Sequence, residues 1–292
     1  MNILSFDIEE WALAKAGGYG KPELYAEYDS YLERILETLD KQGVKATFFC
    51  TGLMAKDFPQ IIKQIYGKGH EVGCHSHHHT WMNKMTEAEA CEDTHAAVDA
   101  LEQCIGQKVL SYRAPAFSIG ENNKWMFEIL AENGITTDAS IYPAARDFGG
   151  FPGFGSKTPC MIEFNGVRVK EFPISTTLFM GKEFAYSGGG YFRFFPLGFV
   201  KGKMSKADYA ICYFHIGDLV SEKGGVPSKE EYEAYYKEPG TMKNRYLRYM
   251  KSNLGKKGAF EKMTKLINSK PFTNIEQADK QIDWNNVPVI KL

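Results

Sequence analysis

The feature that most limits the fold is the alternation of short apolar segments with helix-like segments in the first half of the chain. The apolar segments, interpreted as strands, are residues 2–6, 44–50, 70–74, 108–113 and 135–138. The segments between them that space apolar residues at helical intervals are 29–42, 58–66, 86–105 and 122–132. A single helix between two strands returns the chain to the same edge of the sheet, so the strands run parallel. The pattern therefore predicts an α/β fold.

Ionisable side chains lie at the ends of four of these strands and of a later predicted strand, 209–215. They are Asp7, His75, Arg113, Asp138 and His215. In α/β barrels and open parallel sheets, functional sites lie at the carboxyl ends of the strands. We therefore expect these side chains to share one site.

The second half of the chain is less regular. A loop rich in Gly and Pro at 148–159 precedes strand candidates at 167–175 and 209–215, and helical patterns follow at 230–236, 241–254 and 259–268. No shift in composition marks a domain boundary. The sequence predicts one catalytic domain, residues 1–292, with a core of about 1–220 and a helical part of about 221–292.

Charge and hydropathy exclude some classes of protein. Lys plus Arg number 35 against 36 Asp plus Glu, so no overall positive field favours nucleic acid as a partner. The longest apolar run, Tyr209–Phe214, is far shorter than the roughly 20 residues of a membrane-spanning helix. No basic residue precedes Lys15, and the six cysteines form no C-x-x-C pair. We expect a cytoplasmic protein with free thiols.

Four of the seven histidines lie within residues 75–79. On a helical turn, positions i and i+4 share a face, so His75 and His79 can bind one metal ion; His78 in place of His79 would serve almost as well. A site with two histidines needs a carboxylate as the third ligand. The segment Asp7–Glu10 supplies candidates, and strand alternation puts Asp7 and Glu9 on one side. One of these two carboxylates would bind metal and the other would handle protons.

Arg113, His215 and an aromatic segment complete the candidate site. The guanidinium of Arg113 offers a rigid donor fork that can hold a carboxylate such as Asp7 ionised and oriented. His215 ends the most apolar strand of the chain, where a lone histidine is more often a hydrogen-bonded core residue than a catalyst. Its position at a strand end opposite the histidine cluster favours a general-acid role instead. Aromatic residues around Gly188–Gly190 either stack on a sugar ring or pack the wall of the fold.

Together, the motifs resemble the polysaccharide deacetylases, the NodB-homology or carbohydrate esterase family 4 group. The matching segments are Ser5–Glu9, His75–His79 with its H-[ST]-x-x-H pattern, Arg113–Phe117, Asp138–Pro143 and Phe214–His215. Asp138–Pro143 is similar to the variant found in biosynthetic-cluster members. The resemblance covers about residues 1–220.

The resemblance implies a distorted (β/α)7 barrel, similar to a TIM barrel, that binds one divalent ion, most often Zn²⁺ and sometimes Co²⁺ or Ni²⁺. It makes Asp7 the general base and His75 and His79 metal ligands. The common form has two adjacent aspartates, whereas Ile8 follows Asp7 here. The third ligand is therefore Glu9 or Glu10.

The resemblance also implies the remaining roles. His215 would protonate the departing amine with Asp138 as its partner, and a backbone N–H near Tyr142 would hold the oxyanion. Tyr191 and Phe117 would contact the substrate. The activity would be removal of an N-acetyl group from an amino sugar, or from a nucleotide- or lipid-linked glycan precursor, in surface-polysaccharide biosynthesis. The alternatives are a cytosolic amidohydrolase of a small non-sugar amide and a sugar-binding relative without activity.

Residues 237–270 contain ten Lys or Arg against two Glu. Such a segment is either a solvated pair of helices or a site of weak peripheral contact with an anionic membrane. The sequence does not predict an oligomeric state.

Overall fold

The computed structural model describes residues 1–17, 22–146, 149–220, 225–236 and 238–292. Its strands are β1 (Asn2–Ile8), β2 (Thr47–Cys50), β3 (Glu71–Cys74), β4 (Ser111–Tyr112), β5 (Thr137–Asp138), β6 (Cys160–Phe164), β7 (Val167–Glu171), β8 (Thr176–Phe179), β9 (Lys182–Ala185), β10 (Ala210–His215) and β11 (Val289–Lys291). Its helices are α1 (Glu10–Ala16), α2 (Pro22–Gln42), α3 (Gly52–Asp57), α4 (Pro59–Gly67), α5 (Glu87–Ile105), α6 (Met126–Glu132), α7 (Gly189–Phe194), α8 (Leu197–Ser205), α9 (Ile216–Leu219), α10 (Lys229–Tyr236), α11 (Met242–Asn253), α12 (Ala259–Ile267) and α13 (Ile275–Gln281).

Nine strands form one sheet in the order β10-β1-β2-β3-β4-β5-β7-β6-β11. All neighbouring pairs are parallel except β6 with β7. The predicted α/β class is confirmed. The register pairs Asp7 of β1 with His215 of β10, so two predicted site residues lie side by side although 207 intervening residues separate them.

Irregular chain lies alongside β10 on its free side. The Ile211 amide donates to Ser175 Oγ at 2.9 Å, and Ser187 Oγ donates to the Ile211 carbonyl at 2.7 Å. Gly188 forms a bridge with Tyr213. Among the described strands, β10 and β11 are the two edges of the sheet and do not pair with each other. The segments that contain Ser175 and Ser187–Gly188 cover the free edge of β10 instead.

Local sequence signals account for the long helix α5. The Thr86 hydroxyl accepts from the Glu89 amide at 3.3 Å, while the Glu89 carboxylate accepts from the Thr86 amide at 2.7 Å. This capping box satisfies backbone donors that the first helical turn leaves free. Gly106 then ends the helix with a φ of 69°, a left-handed conformation that favours glycine.

Several described elements lie outside the segments that the sequence pattern predicts: α1, α3, β6, β8, β9, α7, α8, α9, α13 and β11. The sequence pattern predicts only helices after residue 220, yet β11 pairs with β6, and Thr273 bridges Ile3. The division of the chain near residue 220 stays a prediction. No helix in the described ranges is both long and apolar enough to span a bilayer. All six cysteines are free thiols.

His70 should make the protein less stable in mild acid. Its side chain is buried, and its Nδ1 accepts from the Ala46 amide at 3.2 Å. Burial lowers the pKa of His70 from 6.5 to about 4. The unfolded chain therefore binds a proton more readily, and stability falls as the pH drops from about 6.5 towards 4.

We expect this histidine to cost about 2 kcal/mol of unfolding free energy between about pH 7.5 and about pH 5. The His70→Asn variant keeps a hydrogen-bond acceptor without this titration. Urea unfolding at both pH values measures the difference between wild type and variant. Equal acid losses in the two proteins would contradict the assignment.

Candidate active site

Glu9, His75 and His79 form a compact group, which we call the ligand triad. Their potential ligand atoms all lie within 4.8 Å of one another. Glu9 Oε2 is 3.5 Å from His75 Nε2 and in contact with His79 Nε2. All three side chains are at least nine-tenths buried. Glu9 follows β1, and His75 follows β3, so parallel strands bring the two to the same edge of the sheet.

The ligand triad fits a divalent cation. Two imidazole nitrogens and a carboxylate oxygen are a common donor set for catalytic zinc. In the described part of the chain, the buried Glu9 Oε2 has no assigned hydrogen bond, only its close contact with His79 Nε2, which is expected where several lone pairs point to a common centre. His75 Nδ1 lies 2.6 Å from the Arg113 carbonyl, so Nε2 remains for a metal. Burial alone would raise the pKa of Glu9, but His79 and His75 hold it well below its usual value.

The segment that carries the two histidines is a strained loop. Ser76 and His79 have φ values of 63° and 57°, in the left-handed region. Ser76 Oγ accepts from the His79 amide at 3.0 Å and stabilises the turn. The expected helical turn is therefore wrong, although the expected pairing of His75 with His79 is present.

Asp93 of α5 fixes the middle of this loop. Its carboxylate accepts from the amides of His77 at 2.7 Å and His78 at 3.1 Å. The His78 ring also pairs with Asp93, and its side chain is 62% exposed. His79 rather than His78 therefore lies in the ligand triad.

Glu10 points away from the ligand triad. Its carboxylate accepts from the amides of Gly217 and Glu9, both at 3.2 Å. Burial and the neighbouring charge of Glu9 raise the pKa of Glu10 to about 7. Of the two candidates for the third ligand, the structure brings Glu9 to the histidines.

Asp7 and Arg113 form a buried ion pair beside the triad. Arg113 Nη1 lies 2.8 Å from Asp7 Oδ1 and 2.9 Å from Ser5 Oγ. Arg113 is completely buried, and its guanidinium stacks 4.3 Å from the centre of the Phe49 ring. Its Nε donates to the Ala139 carbonyl at 3.2 Å. The contact expected between Arg113 and Asp7 is present, and it fixes the orientation of the carboxylate.

His215 lies opposite these carboxylates. Its Nε2 is 3.8 Å from both Asp7 Oδ2 and Glu9 Oε1. Its Nδ1 is 2.9 Å from Asp218 Oδ2. Desolvation would lower the pKa of His215, but the hydrogen bond and charge of Asp218, with Glu9 and Asp7, raise it to about 10. Asp218 also lies 3.4 Å from Arg193, which anchors it.

The predicted pairing of His215 with Asp138 is wrong, because Asp218 is the carboxylate that contacts His215 Nδ1. Asp138 accepts a hydrogen bond from Ser140 and interacts with Glu171. Burial raises the pKa of Asp138 to about 6 and that of Glu171 well above its usual value. Asp138 therefore stabilises the end of β5. His215 precedes α9 as its N-cap residue, and Asp218 is the third residue of that helix. This spacing is a capping signal that could have identified Asp218.

A cavity of about 160 Å³ opens onto this group. Its walls contain Asp7, His75, Ala114, Ala116, Phe117, Arg146, Gly189, Gly190, Tyr191, Tyr213, His215 and Asp218. Gly188, beside the wall, has no space for a side chain, because an added Cβ would lie 2.3 Å from the Tyr213 ring. The close approach of backbone to ring requires glycine there.

Phe117 and Tyr191 line the cavity, where substrate contact was predicted for both. Tyr142 is buried behind the wall, and its hydroxyl accepts from the Ala185 amide at 2.8 Å. Arg146, which the sequence analysis missed, lies 5.1 Å from the centre of the Phe117 ring and 4.7 Å from that of Tyr142. Its Nη1 is buried and has no hydrogen-bond partner among the residues that the structure describes. No sequence pattern marks this arginine.

Parts of the chain are similar to known proteins. Residues 13–137 match the family described as polysaccharide deacetylase, and residues 139–280 match a domain of unknown function, DUF3473. A peptidoglycan-N-acetylglucosamine deacetylase of Bacillus cereus is 33% identical over 127 residues, which are 41% of this chain and 46% of that protein. A chitooligosaccharide deacetylase of Sinorhizobium fredii is 37% identical over 67 residues, 21% of this chain and 31% of the relative. The chain thus spans less than half the length of these relatives.

A solved structure from Mycobacterium smegmatis, assigned to the polysaccharide deacetylases, has a TM-score of 0.62 at 17% identity. The alignment covers 100% of this chain and 92% of that one. This likeness concerns the fold. Over residues 13–137 the chain is similar to the polysaccharide deacetylases. The resemblance inferred from its motifs is confirmed, whereas the distorted (β/α)7 barrel stays a prediction.

Proposed function

We propose that the protein is a metal-dependent hydrolase that removes the N-acetyl group of an amino sugar. The observation that carries this proposal is the convergence of three groups on one cavity: the ligand triad, the Asp7–Arg113 pair and the His215–Asp218 pair. Amide hydrolysis needs these parts, because a base must activate water, a cation must polarise the carbonyl and an acid must protonate the amine.

Glu9, His75 and His79 would hold the cation, for which we propose Zn²⁺, with Co²⁺ or Ni²⁺ as replacements. When bound, a divalent cation supplies Lewis-acid polarisation of water and of a carbonyl oxygen. Asp7, oriented by Arg113, would accept the proton of the attacking water at Oδ2, the oxygen that faces His215. His215, oriented by Asp218, would donate a proton from Nε2 to the departing amine. The backbone N–H near Tyr142 stays our candidate for an oxyanion donor.

The substrate proposal rests on relatives and on the cavity. The relatives are named for deacetylation of peptidoglycan N-acetylglucosamine and of chitooligosaccharides. Phe117 and Tyr191 offer aromatic surfaces on which a sugar ring can stack. Within this class we propose a nucleotide- or lipid-linked precursor used in surface-polysaccharide biosynthesis. Six free thiols support a reducing compartment, and we propose the cytoplasm.

Acetate release is the direct test. The purified chain, loaded with Zn²⁺, would be incubated with N-acetylglucosamine oligomers, peptidoglycan fragments, acidic N-acetylated sugars and small non-sugar amides. The acidic sugars are included because the Arg146 cation lies at the cavity wall. We expect acetate only from sugars, and none after chelation. Release from the non-sugar amides alone would favour the amidohydrolase alternative. Sugar binding without any acetate would favour an inactive relative.

The His215→Gln variant should separate proton donation from metal binding. We expect kcat to fall by about 10² to 10⁴, the usual value of a general acid, while metal content stays unchanged. Steady-state kinetics and metal analysis on the same samples measure both. His95→Gln, at an exposed position on α5, is the control and should keep full activity. Loss of metal from His215→Gln would make His215 a ligand instead.

A further inference from the structure

Helix α11 exposes apolar side chains in a regular stripe. Its members are Met242, Tyr246, Leu247, Met250 and Leu254, whose exposed fractions are 65%, 52%, 48%, 47% and 58%. Met242, Tyr246, Met250 and Leu254 follow one another at intervals of four positions and Leu247 lies three positions before Met250, which places all five on one side of the helix. An amphipathic helix in a globular protein normally turns such a face to the core. We call this set the α11 stripe.

A second exposed apolar group lies next to the end of the α11 stripe. Gly255, directly after Leu254, packs against the backbone of Arg193. The next residue, Phe194, is 61% exposed, and its ring is 5.4 Å from that of Phe195. The Phe195 ring is in turn 5.4 Å from that of Phe179.

Phe179 is the last residue of β8, at the tip of the β8-β9 hairpin. We call residues 178–181 the hairpin turn. In this turn Leu178 is 66% exposed and Met180 88% exposed. Met180 and Gly181 have positive φ values of 49° and 78°, which make the turn tight. Phe195 thus links Phe194 to the hairpin turn, and the packing of Gly255 on Arg193 places the end of the α11 stripe next to Phe194. An apolar surface of this kind marks an interaction site more often than a solvated face.

Positive charge surrounds the α11 stripe. Residues 238–258 contain six Lys or Arg and one acidic residue, Glu238. Lys243 and Lys251 are exposed; at 3.6 residues per turn Lys243 lies within the face of the stripe and Lys251 lies beside it. The combination of large apolar side chains with flanking lysines is typical of helices that lie in the interface of an anionic membrane.

We infer that the α11 stripe, together with Phe194 and the hairpin turn, docks the protein on an anionic lipid surface. A second copy of the chain fits this surface less well. A twofold dimer would place the same patch against itself, and its lysines would face like charges. Anionic lipid satisfies both the apolar and the positive part of the surface.

The inferred docking surface lies close to the catalytic cavity. Helix α7 begins at Gly189 in the cavity wall and ends at Phe194 in the docking surface. At 1.5 Å per residue, this distance along the helix is about 8 Å. Docking would therefore bring the cavity near the plane of the lipid headgroups. The docking itself does not depend on the proposed deacetylation and can be tested without substrate.

Co-sedimentation with vesicles tests the inference on the full chain. We expect binding to phosphatidylcholine vesicles with about 30 mol% phosphatidylglycerol at about 0.15 M salt, and little binding to pure phosphatidylcholine. The double variant Lys243→Gln/Lys251→Gln should bind about 30-fold more weakly, at about 1 kcal/mol for each lysine. Its control, Lys41→Gln/Lys280→Gln, removes the same charge at exposed positions outside the surface and should bind like wild type.

An apolar pair of variants completes the test. Leu247→Glu should weaken vesicle binding about 10- to 100-fold, the value of burying a leucine. Leu110→Glu is the matched control, since Leu110 is 47% exposed but lies before β4. Circular dichroism would verify that both variants fold. Absence of binding to anionic vesicles, or equal effects of the two leucine variants, would overturn the inference. A dimer in solution that Leu247→Glu dissociates would overturn it in favour of a second copy.

Discussion

Replacement of Asp7 by Asn is expected to lower kcat by about 10³ and to leave the bound metal in place. Asn has the shape of Asp, and its side-chain oxygen can still accept from Arg113 Nη1, now 2.8 Å from Asp7 Oδ1. The amide nitrogen of Asn, in the place of Asp7 Oδ2, cannot accept a proton from water. Asp7 lies outside the ligand triad, so metal affinity should change little.

The measurement combines steady-state acetate release with metal analysis of the same preparation. Asp57→Asn provides the control, because Asp57 forms only a partly exposed ion pair with Lys15 at 2.9 Å. This control should keep wild-type kcat and metal content. If the Asp7→Asn variant retains more than about a tenth of the activity, Asp7 is not the general base. A variant that loses the metal would make Asp7 a ligand.

Removal of Arg113 should have the largest effect on stability. Arg113→Met leaves the carboxylate of Asp7 buried without its partner, and breaking a buried ion pair in this way costs about 3 to 5 kcal/mol. The fully buried guanidinium also packs against Phe49 and binds the Ala139 carbonyl. We expect the unfolding free energy in urea to fall by that amount.

A double-mutant cycle isolates the ion pair from packing. Adding Asp7→Asn to Arg113→Met should restore part of the stability, because no unpaired charge then remains in the core. Arg168→Met is the comparison, since Arg168 is 58% exposed and pairs with Glu163 at 3.2 Å. It should change stability by less than about 1 kcal/mol. A double variant no more stable than Arg113→Met would mean that packing, and not charge, explains the loss.

The sequence was sufficient to predict the parts of the site that follow from strand order. Asp7, His75, Arg113 and His215 all stand where a parallel strand ends, and parallel strands meet at one edge. The α/β class follows from the same alternation. These predictions need only local hydrophobic periodicity and the geometry of strand crossover.

The remaining features depend on contacts that no local pattern encodes. Asp93 reaches the histidine loop from the middle of α5, 16 positions beyond His77. Ser76 and His79, on either side of the two anchored amides, have left-handed conformations, so the expected helical turn is wrong. The sequence predicts that Asp138 pairs with His215 because both end strands, yet Asp138 interacts with Ser140 and Glu171. Strand position alone does not specify which neighbour a side chain faces.

Metal titration of the metal-free chain tests the central claim that distant residues converge on one cation. The variants to compare are His79→Ala and His78→Ala, at neighbouring positions of the same loop but with different partners. We expect one equivalent of Zn²⁺ to bind wild type and His78→Ala, and His79→Ala to bind at least about 100-fold more weakly. Equal affinity of His79→Ala and wild type, or loss of the ion from His78→Ala alone, would contradict the account.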